Sequence, residues 1–421
     1  MSGTGANSAT EKPVAVIGAG IVGVASVLHL QRAGRKVMLI DREEPGEGTS
    51  FGNAGVLARC SVVSVATPGI MFKAPQMLFG ADGPLFLKWS YMPRLLPWLI
   101  PYLRASKREK VEHIARHLAP LVFDSLDEHQ ELARGTEAEK WIRPSPYMFL
   151  YPDRAAYDGD AFGWGLRREH GFEWEVLEGE AVREFEPTLS ADYRCAVVLQ
   201  DHGIIANPGA YVKDLARAVA AGGGEVRQAE VRDIKAENGG VTIETADGTI
   251  EAEAAVIATG VWSGTLARRY GANVPLESER GYHVELAEPS VKPAVPLMDA
   301  TRKFVATPMD AGLRLAGIVE FGGLEAGPSK GLVELLMRGA KAMLPGLEYG
   351  SRTEWLGHRP ATADSLPVIG PSPLCDKVFF AYGHHHVGLT AGPKTGRLVA
   401  QQVTGPRPNL DMDVYRPDRF G

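Results

Sequence analysis

Apolar and polar positions switch between two periods along the chain. The first strong signal is the continuous apolar run Val14-Ala15-Val16-Ile17, bounded by Pro13 and by glycine. A short run of this kind reads as a strand buried on both faces. It leads into Gly18-Ala19-Gly20-Ile21-Val22-Gly23, after which residues 25–32 carry a helical pattern that Ala33-Gly34-Arg35 stops. Residues 36–40 return as a second apolar strand ending in Asp41. Hydropathy alone would also admit a signal peptide or membrane anchor over residues 14–30. Three glycines, His29 and a length below roughly 20 residues argue against a span. The polar leader has no basic n-region and no cleavage pattern follows. The prediction is a buried βα unit.

Beyond residue 60 the pattern changes. Pro68, Pro75, Pro84, Pro93, Pro97 and Pro101 punctuate an apolar stretch with Trp89, Tyr91, Trp98 and Tyr102 set among Arg94, Arg104, Lys107 and Arg108. Residues 95–103 admit two readings, an amphipathic segment on a membrane surface or a core helix of a second domain. The prolines interrupt any long stripe and favour the core helix. Residues 107–134 are an amphipathic helix or helix pair, apolar at Val111, Ile114, Leu118, Leu121, Val122 and Leu126. A strand over 147–151, a helix over 157–170 and a strand region over 196–205 follow. Asn207-Pro208 opens a helix over 211–221, which Gly222-Gly223-Gly224 ends. Strands over 231–236 and 240–245 flank Asn238-Gly239-Gly240, a hairpin signal. Residues 254–260 are a buried strand breaking into a turn. Strands over 303–308 and 313–320 pair around Asp310-Ala311-Gly312, residues 330–343 are helical, and a closing helix covers 391–403.

With 421 residues the chain suggests two domains, or one with a large insertion. Hydrophobic residues at 45% and charged residues at 23% are ordinary for a soluble globular protein. The net charge of −6 is spread over many acids and bases, so nothing points to nucleic acid. The three cysteines, Cys60, Cys195 and Cys375, are isolated. They argue for a reducing compartment and against structural zinc or a disulfide framework. Residues 1–12 read as a disordered polar tail.

The opening unit carries chemistry. Gly18 permits the tight turn, Gly20 lets backbone approach a pyrophosphate, and Gly23 allows the helix to pack closely on the sheet. The unpaired N–H groups and positive dipole end of that helix then face the phosphates. Asp41, about 20 residues on, can accept hydrogen bonds from a ribose diol. Strand, glycine motif, helix, second strand and terminal acid together predict adenine dinucleotide binding.

A second small-residue run follows the Asp41-Arg42 pair: Gly48-Thr49-Ser50-Phe51-Gly52-Asn53-Ala54-Gly55. Thr49 and Ser50 can cap a helix or bond a phosphate, and the glycines let backbone approach a flat ring. With the fingerprint, this run resembles the glutathione-reductase-like flavoproteins of the D-amino-acid oxidase superfamily. It is most similar to the bacterial D-amino-acid dehydrogenases (small subunit) and D-hydroxyproline dehydrogenases. Val182 to Pro187 resembles the family's short LEP segment. Ala258-Thr259-Gly260 with Trp262-Ser263 resembles its ATG motif, and Gly317 and Glu320 match a substrate-domain strand. Trp355-Leu356-Gly357-His358-Arg359-Pro360 and Asp364-Ser365-Leu366-Pro367-Val368-Ile369-Gly370 resemble W-x-G-x-R-P and D-x-x-P-x-I-G. Gly383-His384-His385-His386-Val387-Gly388-Leu389-Thr390 resembles its G-H-x-x-x-G flavin-covering turn. The likeness runs from residue 14 to about 400.

The resemblance implies an α/β fold: a glutathione-reductase-like Rossmann FAD-binding domain (1–60, 200–280 and 355–421) and an α+β, antiparallel-sheet substrate domain (61–199 and 281–354). It implies FAD rather than NAD, bound non-covalently because no cysteine lies where some relatives tether the flavin. The implied cofactor residues are Gly18, Gly20, Ile21, Val22, Gly23, Asp41, Arg42, Thr49, Ser50, Gly52, Asn53, Ala54, Gly55, Val56, Val231, Ala258, Thr259, Gly260, Trp262, Gly383, His385, Val387, Gly388, Leu389 and Thr390. The closing helix would direct its positive end at the flavin's pyrimidine oxygen.

The implied activity is oxidation of an amino acid's C–N bond by hydride transfer from Cα to flavin N5, giving an imine that hydrolyses to a 2-oxo acid or persists as a cyclic imine. D-Amino acids and cyclic imino acids such as D-proline or hydroxyproline suit the site. The alternatives are an oxygen-using oxidase of glycine- or sarcosine-type amines, or a non-catalytic flavin subunit of a dehydrogenase complex. Holding an amino acid needs a planar cation for its carboxylate. Arg359 occupies the family position, with Arg280, Arg302 and Arg314 behind it. Tyr282 would add a phenol hydrogen bond, and His384 and His386 would line the substrate pocket. Three consecutive histidines cannot face one ion, so no metal is expected. A quinone or other acceptor, a peripheral membrane contact through residues 89–103, and a cytoplasmic or inner-membrane-face location complete the expectation.

Overall fold

The strand Val14–Ile17 exposes none of its residues because it lies inside a six-stranded sheet. Its order is Glu225–Gln228, Val37–Asp41, Val14–Ile17, Ala254–Ile257, Val378–Tyr382 and Val368–Pro371, the first five parallel and the last antiparallel. The computed structural model describes residues 12–70, 78, 85–237 and 239–420. Residues 1–11 of the polar tail, Pro75, Pro84 and the hairpin's Asn238 lie outside the described residues.

Helices cover one face of this sheet. Ile21–Arg32 packs along Gly388–Thr404, and small residues set the spacing: a Cβ on Gly392 would lie 2.9 Å from Ile21, and one on Gly396 2.5 Å from the Ala25 backbone. Close packing brings both helix N-termini to the carboxyl edge of the parallel strands. The other face is covered by an antiparallel sheet of Val231–Glu237, Gly240–Thr245 and Gly248–Ala252, through Ile234, Ile243 and Ile250. The first helix starts at Ile21, four residues before the predicted point, because the glycine motif itself forms its first turn. The closing helix likewise starts at Gly388, not residue 391. The helix expected over 157–170 is two, Arg154–Asp158 and Ala161–Glu169, the first capped by the Asp153 carboxylate on the Ala156 N–H (2.8 Å).

A second, nine-stranded sheet holds Ser351–Thr362, Leu276–Ala287, Leu313–Phe321, Phe304–Pro308, Leu297–Asp299, Tyr147–Tyr151, Cys195–Leu199 and Glu175–Glu178 in that order, with Leu85–Leu87 beside Leu313–Phe321. It is antiparallel apart from two parallel pairings. The helix Lys330–Met343 packs on one face through Leu332, Leu336, Met337 and Ala340. The opposite face of its first two strands turns toward the six-stranded sheet. Met92–Ala105 is one helix despite Pro97 and Pro101, and it buries Leu95, Trp98 and Tyr102. The Trp98 indole N–H donates to the Ala361 carbonyl (2.8 Å), which docks this helix on the end of Ser351–Thr362.

Candidate active site

A cavity of about 610 Å³ opens at the carboxyl edge of the parallel strands. It falls within the ~300–1,000 Å³ usual for small-molecule sites, and its position is where open α/β sheets bind ligands. Its floor is the glycine motif. Gly18 has φ +110°, and a Cβ there would lie 2.6 Å from the Ala258 carbonyl carbon. A Cβ on Gly23 would lie 3.0 Å from the Gly18 carbonyl carbon and closer to its oxygen, so helix and turn touch backbone to backbone. Gly20 faces open space except for Ser50 Oγ at 3.3 Å from an added Cβ. This is the arrangement a pyrophosphate requires at a helix N-terminus.

Polar groups around the cavity are oriented before any ligand arrives. Asp41 accepts the Ala19 N–H on Oδ2 (2.6 Å) and the Glu43 N–H on Oδ1 (3.1 Å). Each oxygen keeps a lone pair for a ribose hydroxyl. Ser50 Oγ accepts the Ile21 N–H (3.0 Å), and Thr49 Oγ1 donates to the His358 carbonyl (2.9 Å), which ties the loop to the second sheet. The Arg42 guanidinium lies 4.4 Å over the Trp262 ring, and both line the cavity.

Of the residues expected around a cofactor, Gly18, Gly20, Ile21, Val22, Asp41, Arg42, Thr49, Ser50, Asn53, Val231, Ala258, Thr259, Gly260, Trp262, Gly383, His385, Gly388 and Leu389 line this cavity. Gly23, Gly52, Ala54, Gly55, Val56, Val387 and Thr390 stand behind the lining. Gly55, at φ +76°, sends the chain into Val56–Leu57, which pairs with Ile204 and Gly203. Trp355, Gly357 and His358 also form part of the wall, a place that their motif alone did not predict.

The second sheet brings a different set together. Leu276–Ala287 pairs in register with Ser351–Thr362, placing Glu279 opposite Arg359, Gly281 opposite Gly357, and His283 opposite Trp355 on one face. Arg359 is half-buried and donates from Nη1 to the Ile318 carbonyl (3.1 Å). It makes no ion pair among the described residues. His283 stacks on Trp355 (centroids 5.2 Å, planes 19° apart) and donates from Nδ1 to the Gly52 carbonyl (3.1 Å). Glu279 escaped sequence reasoning. Its only signal was its place two residues before Gly281 on a strand, hence on the same face.

The three histidines diverge. His384 bonds Thr395 Oγ1 through Nε2 (3.0 Å) and points into the closing helix. His385, with φ +49°, donates from Nε2 to the Thr362 carbonyl (2.8 Å), while Nδ1 sits 3.8 Å from Glu279 Oε1, an ion pair too long for a hydrogen bond. His386 lies deep in the fold yet is exposed, so it faces an internal hollow. Burial pulls the His384 imidazole to about 3 and that of His386 to about 4, both aided by His385. Burial also pulls His385 down, but the Glu279 carboxylate outweighs it and raises its pKa. Burial pushes Glu279 up, yet His385 and Arg359 hold it below the usual carboxylate range.

One expected site residue is placed elsewhere. Tyr282 points to the opposite face, where its hydroxyl donates to Glu320 Oε2 (2.7 Å) and accepts the Ser329 N–H (2.9 Å) in the core under Lys330–Met343. Its place one residue from Gly281 sends it there. His384 lines the cavity, with Nε2 held by Thr395 and Nδ1 left for any other partner. The arginines ranked behind Arg359 are engaged: Arg280 is fully buried beside Glu320 (3.1 Å), Arg302 pairs with Asp299 (3.1 Å), and Arg314 pairs with Glu285 while donating to the Phe51 (2.9 Å) and Asn53 (2.8 Å) carbonyls.

A mostly parallel sheet ending in a glycine-floored cavity, roofed by a second sheet that presents an arginine, defines a dinucleotide-binding protein with a substrate-facing wall. Comparison with known proteins narrows the class. The family described as "FAD dependent oxidoreductase" matches residues 13–402. A D-amino-acid oxidase of Bradyrhizobium diazoefficiens is 40% identical over 97% of this chain and 98% of its own. A D-amino acid dehydrogenase of Paramagnetospirillum magneticum is 30% identical over 97% and 98%. Among solved structures, glycine oxidase from Geobacillus kaustophilus superposes with a TM-score of 0.73 at 23% identity, covering 97% of this chain and 99% of that one. The L-proline dehydrogenase from P. horikoshii gives 0.72 at 18%, covering 97% and 98%. The chain belongs to the FAD-dependent oxidoreductase family, and its cofactor is FAD.

Proposed function

We propose that the chain oxidises the C–N bond of an amino acid of the D-amino-acid or cyclic imino-acid class. The observation that carries this reading is Arg359, which stands between the cavity-lining His358 and Pro360 and has no paired acid among the described residues. FAD, when bound, supplies the acceptor for the hydride that leaves Cα. Arg359 holds the substrate carboxylate with a planar fork that fixes the direction of the Cα–H bond. His386, neutral at physiological pH and open to the hollow, accepts a hydrogen bond or proton from the substrate amine. His385 and Glu279 hold the turn that carries it. The names of the two curated relatives support an amino-acid substrate.

The proposal divides the work between 1–60, 200–280 and 355–421, which hold the cofactor, and 61–199 and 281–354, which shape the substrate side. The strands Leu276–Ala287 and Ser351–Thr362 run across these boundaries and join the two parts. For the acceptor we propose a quinone reached at the inner face of a membrane. The helix Met92–Ala105 exposes Leu96 and Ile100, with Trp89 just before it. No acid occurs from residue 85 to 108, where Lys88, Arg94, Arg104, Lys107 and Arg108 lie. Among the described residues no helix is long and apolar enough to cross a membrane. Oxygen is the second reading, favoured by the name of the 40% identical relative.

A panel of D- and L-amino acids, mixed anaerobically with the yellow holoenzyme, tests the activity: at least one D-amino or imino acid bleaches the flavin. Arg359→Lys should keep the cofactor and lose on the order of 10²-fold in kcat/KM, because a point charge lets Cα drift by ~1 Å. Arg359→Ala should cost roughly 2–5 kcal/mol. A holoenzyme that no amino acid bleaches would leave only the flavin-scaffold reading standing.

A further inference from the structure

At the centre of the Leu276–Ala287 and Ser351–Thr362 pair, two glycines face each other, Gly281 and Gly357. Neither has a positive φ, so the backbone at both would accept any L-residue. What excludes a side chain is occupied space. A Cβ on Gly281 would fall 2.8 Å from Arg359 Nε and closer still to Cζ and Nη2. A Cβ on Gly357 would fall 2.9 Å from Trp355 Cζ2, and one on Gly52 2.5 Å from Trp355 Cη2. The paired glycines form a trough in the sheet, with a guanidinium lying in one half and an indole in the other.

We propose that Gly281 is a positioning residue of the carboxylate clamp: its missing side chain lets Arg359 lie flat on the sheet, where the Ile318 carbonyl and Glu279 set its direction. The inference rests on the reading of Arg359 given above. Ile318 supports it independently. It has φ +59°, a left-handed conformation that is a genuine outlier for a β-branched residue. It lies where the pairing of Leu276–Ala287 with Leu313–Phe321 shifts register between Arg280 and Tyr282. The irregularity turns the Ile318 carbonyl onto Arg359 Nη1 at 3.1 Å. Glu279 is the register partner of Arg359, 2% exposed, and faces it without ion-pairing. The guanidinium therefore has sheet beneath it, the Ile318 carbonyl on Nη1, the Gly317 carbonyl 3.5 Å from Nη2 and a carboxylate beside it, so a planar anion would displace only the long Nη2 contact.

A methyl group at residue 281 would lift the guanidinium by roughly 1 Å to restore ordinary contact distances. The test uses FAD holoenzyme of the parent, Gly281→Ala, Arg359→Lys and the double variant. It measures the Kd of propionate from the flavin absorbance change and kcat/KM for D-proline. Gly281→Ala should retain FAD and weaken both quantities, kcat/KM by on the order of 10²-fold. In the Arg359→Lys background the same change should cost less than about threefold, because lysine has no planar fork to displace. Equal cost in both backgrounds, or none in either, overturns the inference. If Arg359→Lys itself leaves propionate binding unchanged, the clamp reading has failed. If Arg359→Lys weakens binding and Gly281→Ala does not, only the positioning role has failed. Should Gly281→Ala not fold, a double variant that folds with FAD supports the clash with Arg359, and one that does not overturns it.

Discussion

Single residues here are constrained by space more often than by charge. Gly18 is the clearest case, combining φ +110° with a backbone carbonyl carbon 2.6 Å from an added Cβ. Gly18→Ala should therefore fold around the rest of its core yet purify without flavin absorbance, and reconstitution should fail at FAD concentrations that saturate the parent. Retention of stoichiometric flavin would show that the turn can rearrange. Glycine roles at 18, 20 and 23 were legible in the sequence, because their spacing has one structural meaning between a strand and a helix. Arg359 was singled out through its motif neighbours, and its role stands as a proposal. Gly281 and Glu279 were not, since their meaning depends on which residues the neighbouring strand brings opposite them. Tyr282 falls in the core for the same reason: one position along a strand exchanges the cavity for the core.

At the scale of elements, the strongly patterned pieces emerged near their predicted bounds. Lys330–Met343 and Tyr147–Tyr151 match outright. Helix starts were placed late wherever a glycine motif formed the first turn, since glycine carries no apolar periodicity. Met92–Ala105 is the instructive element. Its prolines did not break it, and it bears out the core-helix reading: Leu95, Trp98 and Tyr102 pack inward, while Leu96 and Ile100 face out. The membrane proposal belongs to that outer face. Trp89→Ser with Leu96→Ser and Ile100→Ser should reduce co-sedimentation with anionic vesicles several-fold and leave turnover with a soluble dye unchanged. Parent protein that ignores both anionic and neutral vesicles at low salt would end the membrane reading, and would favour oxygen or a soluble acceptor.

At the scale of the whole molecule, buried imidazoles set the dependence of stability on acid. Four histidines are at most 3% exposed, and burial pulls His129 and His283 to about 4 and His202 and His384 to about 3. His129 lies on the helix Ser125–Ala133, His202 just before the strand Gly203–Ile205, His283 on Leu276–Ala287 and His384 in the cavity wall, so the penalty is spread over the molecule. Unfolded histidine titrates near 6.5. Below that value the unfolded chain binds protons that the folded chain refuses, so stability falls as pH falls. Each site costs about 2 kcal/mol at pH 5, or about 8 kcal/mol for the four, within the 5–15 kcal/mol of a typical domain. His385 and Glu279 act oppositely around neutrality. The raised His385 contributes stability below pH 6.5 that is lost as pH rises through its folded value, and the lowered Glu279 contributes above its unfolded value and is lost only in stronger acid. Urea unfolding at constant FAD excess should therefore give a maximum near neutrality and a steep fall from pH 6.5 towards 5, with a slope of several protons. Stability that stays flat between pH 7 and 5 would mean these histidines reach solvent or take up protons in the folded state.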